Sequence, residues 1–478
     1  MIKLIAGILS EHCLIKSDDP LLVAVSGGVD SLCLLDILDR LNFNIIIAHF
    51  DHSLRPESAA EAEKVRIFAE NRNRKFILGK GDVFKYAYQK KQTIEEASRH
   101  ARYRFLIKQA EIYNASAVAV GHNADDQVET ILMHLLRGSG MEGLAGMSYR
   151  SLPNEWSCET AIIRPLLGIW REQLDEYIRE NNLQPSLDSS NKDIKYLRNR
   201  IRHELVSYLE DYNPQIKNLI LQLGDTIRED LFLINKITED VWNKCLLQSG
   251  PGYFAFDHKL LIQQSLGVKR RLVRRAIHIL RPKLRDFNFA AVLSGVNFIN
   301  TPSRSGSIDL LSGVRMLIEL NKLWIFDKSI ELPSGGWPQL QGFEEFKLDI
   351  PGILFLPQNW QIKNSISDVP KDCLEYAKYS KEFHSVCLDI EKLTLPLTVR
   401  SRKPGDFIKP IGMGGHKIKL SDLFINKKIP NRLRDLWPII CSGDQVIWVP
   451  GLHLSHDFQI NKTTKKVVQI SLTKTTSN

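Results

Sequence analysis

Six consecutive residues could cradle a phosphate chain: Ser26, Gly27, Gly28, Val29, Asp30 and Ser31. Two adjacent glycines let a backbone turn sharply and approach a ligand closely. A helix opening behind them would offer free N–H groups and a positive dipole end, which suit an anion. Ser26 and Ser31 add hydroxyl donors. Asp30 would repel phosphate unless a cation lay between, which points to Mg2+ bound with the phosphates and to Asp30 on its metal side. No Gly-Lys-Ser/Thr closes the loop, so it is not a Walker sequence.

Three more strings carry chemistry-bearing groups. The first is His49-Phe50-Asp51-His52-Ser53-Leu54-Arg55, and the second is Glu96-Ala97 followed by Arg99, Arg102 and Tyr103. The third is His122-Asn123-Ala124-Asp125-Asp126-Gln127-Val128-Glu129-Thr130. On a helix Asp126 and Glu129 are i,i+3, and Asp125 and Glu129 are i,i+4, so they share a face. Carboxylates clustered near phosphate hold Mg2+ or capture a cationic amine. The plainer alternative is that acidic residues favour a helix's first turn through its dipole. Asp188-Ser189-Ser190-Asn191 comes next, then Arg198 and Arg202, another i,i+4 pair. These two arginines suit polyphosphate or RNA backbone, against the bland alternative of a solvated basic helix.

Such groups converge only if the fold brings them to one edge. LLVAVS (21–26), NIIIAHF (44–50), KFILG (75–79) and SAVAVG (116–121) read as buried strands, with AIIRPLLG (161–168) as a fifth. Helices are predicted over 30–41, 56–73, 93–113 and 125–137, then up to Asn182, and over 198–210. In the first of them Leu32, Leu34, Leu35 and Leu38 should face the sheet. Strands alternating with helices of this length predict a doubly wound parallel sheet, with its ligand site at the strands' carboxyl ends. From 215 to about 300 the pattern turns helical, without clear alternating strands; beyond 305 short β-like runs dominate. The expected division is a catalytic domain 1–214, a helical middle domain 215–330, a connection 331–390 and a basic, mixed α/β C-terminal domain 391–478.

Composition narrows the function classes. The chain has 478 residues, 43% hydrophobic and 25% charged, which excludes wholesale disorder. No apolar run approaches the roughly 18 residues that cross a bilayer, and the N-terminal stretch reads as a short helix rather than a signal peptide. Seven scattered cysteines without a CxxC pair make zinc knuckles and Fe–S ligands poor candidates and suit a reducing cytoplasm. Net charge is +9, and between Val399 and Arg434 ten Lys/Arg face two acids. Such a patch attracts polyanions, or is a face neutralised by its neighbours.

The loop Ser26–Ser31 resembles that of the PP-loop ATP pyrophosphatase family. Taken in order with HFDHSLR, HNADDQVET and DSSN…RNRIRH, it resembles the N-terminal domain of the tRNA(Ile)-lysidine synthetases. Arg402, Gly405, Asp406, Pro410, Gly412, Lys417, Lys419, Lys428 and the run Trp448–Gly451 resemble that family's terminal domain. Phe407 and His453 stand where that pattern leads one to expect arginines.

The resemblance implies an ATP-dependent ligase with ATP and Mg2+ at the loop, contacted by Ser26–Ser31, His49 and Asp51. The C2 oxygen of the wobble cytidine of a CAU anticodon in tRNA(Ile) would attack the α phosphate. The amine of free L-lysine would then displace AMP. Asp30, Asp126, Glu129, Arg198 and Arg202 would serve catalysis. His52, Arg55, Arg99, Arg102, Arg402, Lys417, Lys419 and Lys428 would meet the RNA. The enzyme would be cytoplasmic, monomer or homodimer. Two rivals use the same residues: a PP-loop tRNA thiolase, which usually needs a reactive cysteine near the loop, and a non-catalytic tRNA-binding protein, against which the intact SGGVDS stands. A small-molecule amide synthetase would leave the basic stretch unused.

Overall fold

The computed structural model describes residues 1–52, 58–81, 83–90, 93–186, 197–282, 284, 289–301, 306–369, 384–461 and 463–475. Arg55 and the string 188–191 lie outside them. The chain forms two compact units, Met1–Lys236 and Ile237–Asn478.

The first unit is a sheet wrapped by helices. Its elements are α1 (Ile2–Glu11), β1 (Leu21–Ala24), α2 (Val29–Arg40), β2 (Ile45–Asp51), α3 (Ser58–Glu70), β3 (Lys75–Lys80), α4 (Val83–Lys90), α5 (Ile94–Ile112), β4 (Ala117–Ala119) and α6 (Ala124–Leu136). They continue with α7 (Met141–Leu144), β5 (Arg150–Ser151), β6 (Ala161–Ile163), α8 (Arg171–Glu180), α9 (Leu197–Arg200), α10 (Val206–Tyr212) and α11 (Ile216–Cys245), whose end passes into the second unit. A π-helical turn, Ile201–Leu205, joins α9 to α10.

Leu21, Leu22 and Val23 of β1 are wholly buried. Successive side chains point to opposite faces: Leu21 and Val23 join a core with α1, α2 and α8, and Leu22 joins one with α5. Leu32, Leu34, Leu35 and Leu38 all lie in the first core, as their spacing requires. The sheet order is β3-β2-β1-β4-β6-β5. All neighbours are parallel except β5 with β6. The chain runs outward from β1 through β2 to β3, then returns to place β4 on the other side of β1. The order therefore reverses between β1 and β4, and in open α/β sheets the crevice at that point takes the ligand.

Two local features differ from expectation. The fifth strand stops at Ile163 because Arg164 turns inward, its Nη1 donating to Ser148 O at 2.8 Å and Ser151 Oγ at 2.9 Å. Helix α4 had no periodic signal strong enough to mark it. Below the sheet edge, buried Asp36 of α2 accepts from Tyr177 Oη at 2.8 Å, Arg40 Nε at 2.8 Å and Arg72 Nη2 at 3.1 Å. This network fastens α2 to α8 one and a half turns below Asp30.

In the second unit the predicted helices are α11's end, α12 (His258–Ile262), α13 (Leu266–Leu280) and α14 (Phe289–Ile299). They pack on a five-stranded sheet, β7 (Leu246–Gly250), β8 (Tyr253–Asp257), β9 (Gly306–Asp309), β10 (Val314–Glu319) and β11 (Lys322–Asp327), in the order β7-β8-β11-β10-β9. Strands β10 and β11 are among the β-like runs expected beyond 305, while β7 and β8 fall where only helix was expected. The key pairing, β8 with β11, is long-range, so no local signal specifies it. Beyond Phe346 lie antiparallel sheets of five and four strands and a two-stranded ribbon, Phe407–Ile408 with Ile418–Lys419.

Candidate active site

The loop Ser26–Ser31 leaves β1 and opens α2 at the point where strand order reverses. Gly27 has φ +90°, a conformation glycine supplies without strain, and its carbonyl accepts from Ser186 N at 2.9 Å. The loop ties itself: Ser26 N donates to Ser31 Oγ at 3.2 Å, and Ser31 Oγ donates to Gly28 O at 3.0 Å. Gly28 caps α2 without a side-chain hydrogen bond, leaving the first-turn amides uncapped among the described residues.

On the other side of the crevice, the chain leaving β4 passes through Gly121. A Cβ there would sit 3.0 Å from Asp30 C and 3.1 Å from both Asp30 O and Ser31 N. Glycine lets β4's exit lie directly on the phosphate loop. Gly121→Ala is expected to push the first turn of α2 aside. It should weaken ATP binding about tenfold or more, with an overpacking cost of about 1–3 kcal/mol. Calorimetric ATP titration beside a thermal melt measures the two effects.

Asn123 then caps α6 in a reciprocal box: its Oδ1 accepts from Asp126 N at 3.0 Å, and Asp126 Oδ2 accepts from Asn123 N at 3.1 Å. Its Nδ2 donates to Asp30 Oδ1 at 3.1 Å. Asp30 also receives Arg171 Nη1 of α8, at 3.0 Å and 3.3 Å from its two oxygens. Burial pushes the Asp30 carboxyl above its ordinary range. Arg171 opposes that shift, and nearby Asp126 adds to it. The α8 amide of Arg171 is itself held by Asp125 Oδ2 at 2.9 Å, while Asp125 Oδ1 meets Lys217 Nζ at 2.7 Å.

Asp126, Glu129, Arg198 and Arg202 form a box. Arg198 Nε meets Glu129 Oε2 at 2.7 Å and its Nη2 meets Asp126 Oδ1 at 3.0 Å. Arg202 Nε meets Glu129 Oε1 at 2.5 Å and its Nη2 meets Asp126 Oδ1 at 3.4 Å. The helical stretch from Leu197 through the π turn sets both arginines on one face, as i,i+4 spacing requires. The carboxylates expected to await an ammonium group are thus engaged by the arginines expected to await phosphate. Glu129's side chain is 2% exposed and Asp126's 15%, so only Asp126 is within reach of a ligand. Burial works against the Arg198 charge, but Asp126 and Glu129 more than offset it and raise its pKa.

His49 and Asp51, at the carboxyl end of β2, are both buried. His49 Nδ1 donates to Val25 O at 2.8 Å, and burial lowers its pKa. His52 packs edge-on against Phe50 at 5.0 Å. Burial, Arg102 and His49 push it down to about 4, so it is neutral at physiological pH. Arg99 and Arg102 lie 4.9 Å and 5.2 Å from the ring centroid of Tyr103, which stacks on Trp156 at 4.2 Å. The Nδ1 atoms of His52 and His122 and the Tyr103 hydroxyl are enclosed without a hydrogen-bond partner among the described residues.

Three contributors escaped the motif reading. Arg171 stands alone at a helix start that carries no recognisable motif. Gly121 differs from other glycines only through its long-range contact. Gln127 belongs to a string already singled out, but its task is fixed by distant backbone: its amide pairs with Met147, donating to O at 2.9 Å and accepting from N at 2.7 Å. It thereby clamps the glycine-rich loop 138–147.

In the second unit, six of the ten cations of the basic stretch are engaged. Arg400 pairs with Asp406, Arg402 with Asp435, Lys403 with Glu345, Lys409 with Asp457 and Arg432 with Glu319, while Arg434 donates to Ile429 O. Arg402 is therefore spoken for. Lys417, Lys419, Lys427 and Lys428 are exposed, with no ion pair among the described residues. The Lys417 ammonium rests 4.2 Å over the ring of Phe407. Where an arginine was expected, the aromatic side chain holds a neighbouring cation instead.

Among the described residues no group of three or more His, Cys, Asp or Glu is arranged for a metal. Mg2+ needs no such cage: it keeps several waters and takes one or two carboxylates beside substrate phosphates. Asp30, a half-buried carboxylate at the mouth of the phosphate loop, fits that demand.

Comparisons with known proteins agree with this geometry. A family model described as a PP-loop domain matches residues 4–209, and one described as a TilS substrate C-terminal domain matches 397–471. The tRNA(Ile)-lysidine synthase of Caldanaerobacter subterraneus is 30% identical over 482 residues, 99% of this chain and 98% of that protein. That of Clostridium tetani is 31% identical over 479 residues, covering 99% and 98%. The bifunctional protein TilS/HprT of Listeria monocytogenes is 32% identical over 471 residues, 96% of this chain and 69% of that protein. At 30% and 31% identity over nearly the full length of the first two of these relatives, the chain belongs to the tRNA(Ile)-lysidine synthase family.

Proposed function

We propose that this chain ligates free L-lysine to C2 of the wobble cytidine in the CAU anticodon of tRNA(Ile), consuming ATP. The observation that carries the reading is the meeting of the phosphate loop with the Asp126–Glu129–Arg198–Arg202 box at the switch point of the sheet. ATP lies with its phosphates on the uncapped first-turn amides of α2 and the hydroxyls of Ser26 and Ser31. Asp30 would hold Mg2+, which neutralises charge on the polyphosphate when bound. The cytidine C2 oxygen attacks the α phosphate and pyrophosphate leaves. The lysine side-chain amine, having lost a proton, then attacks C2, and AMP leaves with the oxygen.

Asp126, the more exposed carboxylate, receives the lysine ammonium in exchange for part of its arginine contacts. Glu129 keeps the arginines in place, and these serve the phosphates as the box opens. His49 and Asp51 line the nucleotide side, and His52, Arg99 and Arg102 the RNA side. Residues 1–214 are the catalytic domain and 391–478 the tRNA-gripping domain, with the middle domain 215–330 and the connection 331–390 between. No described helix is long and apolar enough to cross a membrane; we place the enzyme with the tRNA pool in the cytoplasm. Incubation with tRNA(Ile), ATP and labelled lysine should put label into the RNA only when ATP is present. Label from a sulfur donor instead would favour a thiolase.

The exposed lysines make a separate prediction. Replacing Lys417 and Lys419 with Ala should weaken tRNA binding and leave ATP binding untouched. Each lost phosphate contact should flatten the plot of log affinity against log salt by about 0.7–0.9. An unchanged slope would make this stretch an ordinary basic surface.

A further inference from the structure

Arg432 belongs by sequence to the basic stretch, yet its guanidinium faces inward. Nε lies 3.1 Å and 3.2 Å from the two oxygens of Glu319, and Nη2 lies 2.8 Å from Oε1. Nη1 donates to Leu332 O at 3.0 Å and Nη2 to Pro333 O at 2.9 Å. The cation also sits 5.6 Å from the ring centroid of Trp324.

Its partner is held equally firmly. Glu319 is 7% exposed and ends β10, opposite Lys322 of β11. The two residues between them, Leu320 and Asn321, have φ +48° and +63°. Positive φ at both central positions is the tight hairpin turn that matches strand twist. Asn321 O is fixed in turn by His258 N at 2.9 Å. One rigid hairpin of the middle sheet thus grips one short helix of the C-terminal domain, Asn431–Arg434. Lys427 and Lys428 lie a few residues before that helix.

We propose that Arg432, clamped on Glu319, is a positioning residue for the tRNA: it fixes the angle at which the C-terminal lysines are presented relative to the middle sheet, and touches no RNA itself. This rests on the reading of the C-terminal domain as a tRNA grip. A guanidinium is needed because a lysine cannot make a planar fork to a carboxylate and two carbonyls at once. If breaking the clamp leaves the competent orientation populated about one tenth of the time, affinity falls about tenfold.

Glu319→Gln is the decisive variant, measured in the full chain with tRNA(Ile) at several salt concentrations. It removes a negative charge, so electrostatics alone predicts unchanged or tighter RNA binding; the positioning role predicts weaker binding with an unchanged salt slope. Arg432→Gln should behave the same way, and ATP affinity should not move. Arg432→Lys, which keeps the cation for Glu319 but cannot also reach both carbonyls, should lose less than Arg432→Gln, a graded response that simple misfolding would not give. Unchanged or tighter binding by Glu319→Gln overturns the proposal. So does a slope flattened by about 0.7–0.9 in Arg432→Gln, the mark of a direct phosphate contact. If the Lys417 and Lys419 double variant shifts the slope while Glu319→Gln is silent, the positioning role alone falls. If both are silent, the tRNA-grip reading falls with it.

Discussion

Asp30→Ala is expected to lower pyrophosphate and AMP formation by about a thousandfold, the scale of losing a preorganised charge at the reacting centre. Its affinity for tRNA should stay close to wild type, because the carboxylate is held by Asn123 and Arg171 and by none of the residues assigned to the RNA. Folding should not suffer. Burial raises the Asp30 pKa, so at neutral pH its ionised form is held against a desolvation penalty. An aspartate whose folded pKa is raised opposes stability above its unfolded pKa, and removing it relieves that opposition. Pyrophosphate release, tRNA titration and a thermal melt separate the three quantities. Near-normal AMP formation would remove Asp30 from the chemistry.

The box should split into two roles under neutral isosteres. Glu129→Gln leaves two guanidiniums sharing one remaining carboxylate. Breaking a buried pair costs about 3–5 kcal/mol. Because Arg198 and Arg202 are 28% and 36% exposed, we expect about 1–3 kcal/mol here, with a large loss of turnover. Asp126→Asn keeps an oxygen for Asn123 N, so its stability should change little. It loses the charge that would hold an ammonium group, and a charge-assisted bond of about 1.5–3 kcal/mol is worth roughly ten- to a hundredfold in affinity. The half-saturating lysine concentration should rise by that factor while ATP-dependent adenylation persists. Unchanged lysine dependence in Asp126→Asn would return that carboxylate to the metal or the fold.

How far the sequence reaches follows from the range of the interactions. The parallel sheet was legible because a doubly covered strand must be apolar throughout, and Leu21–Val23 and Ile45–Ala48 are. The phosphate loop was legible because glycine pairs, hydroxyls and a helix start are local. The pairing of Arg198 and Arg202 with Asp126 and Glu129 joins residues about seventy positions apart, so their types were readable and their mutual engagement was not. The basic stretch shows the same limit: Arg402, Lys403 and Arg432 meet acids 33, 58 and 113 positions away. In the middle sheet β10 and β11 lie in the β-like runs beyond 305, whereas β7, short and mostly exposed, lacks a clean alternation and stays hidden.

The strand order has a consequence for biosynthesis. A chain emerging from the ribosome as far as Lys80 already contains β1, β2 and β3, with β1 at one edge of the three. That edge carries Leu21, Leu22 and Val23, and its partner, Ala117–Ala119, is still untranslated. The outer strand, Ala161–Ile163, arrives later again. An apolar, unpaired edge is a template for association with other chains. The growing polypeptide must pass through a window of about forty residues in which its central strand is its most aggregation-prone surface. Slowed synthesis within that window, or truncation before Ile163, should therefore yield insoluble protein even though the phosphate loop and its helix are complete.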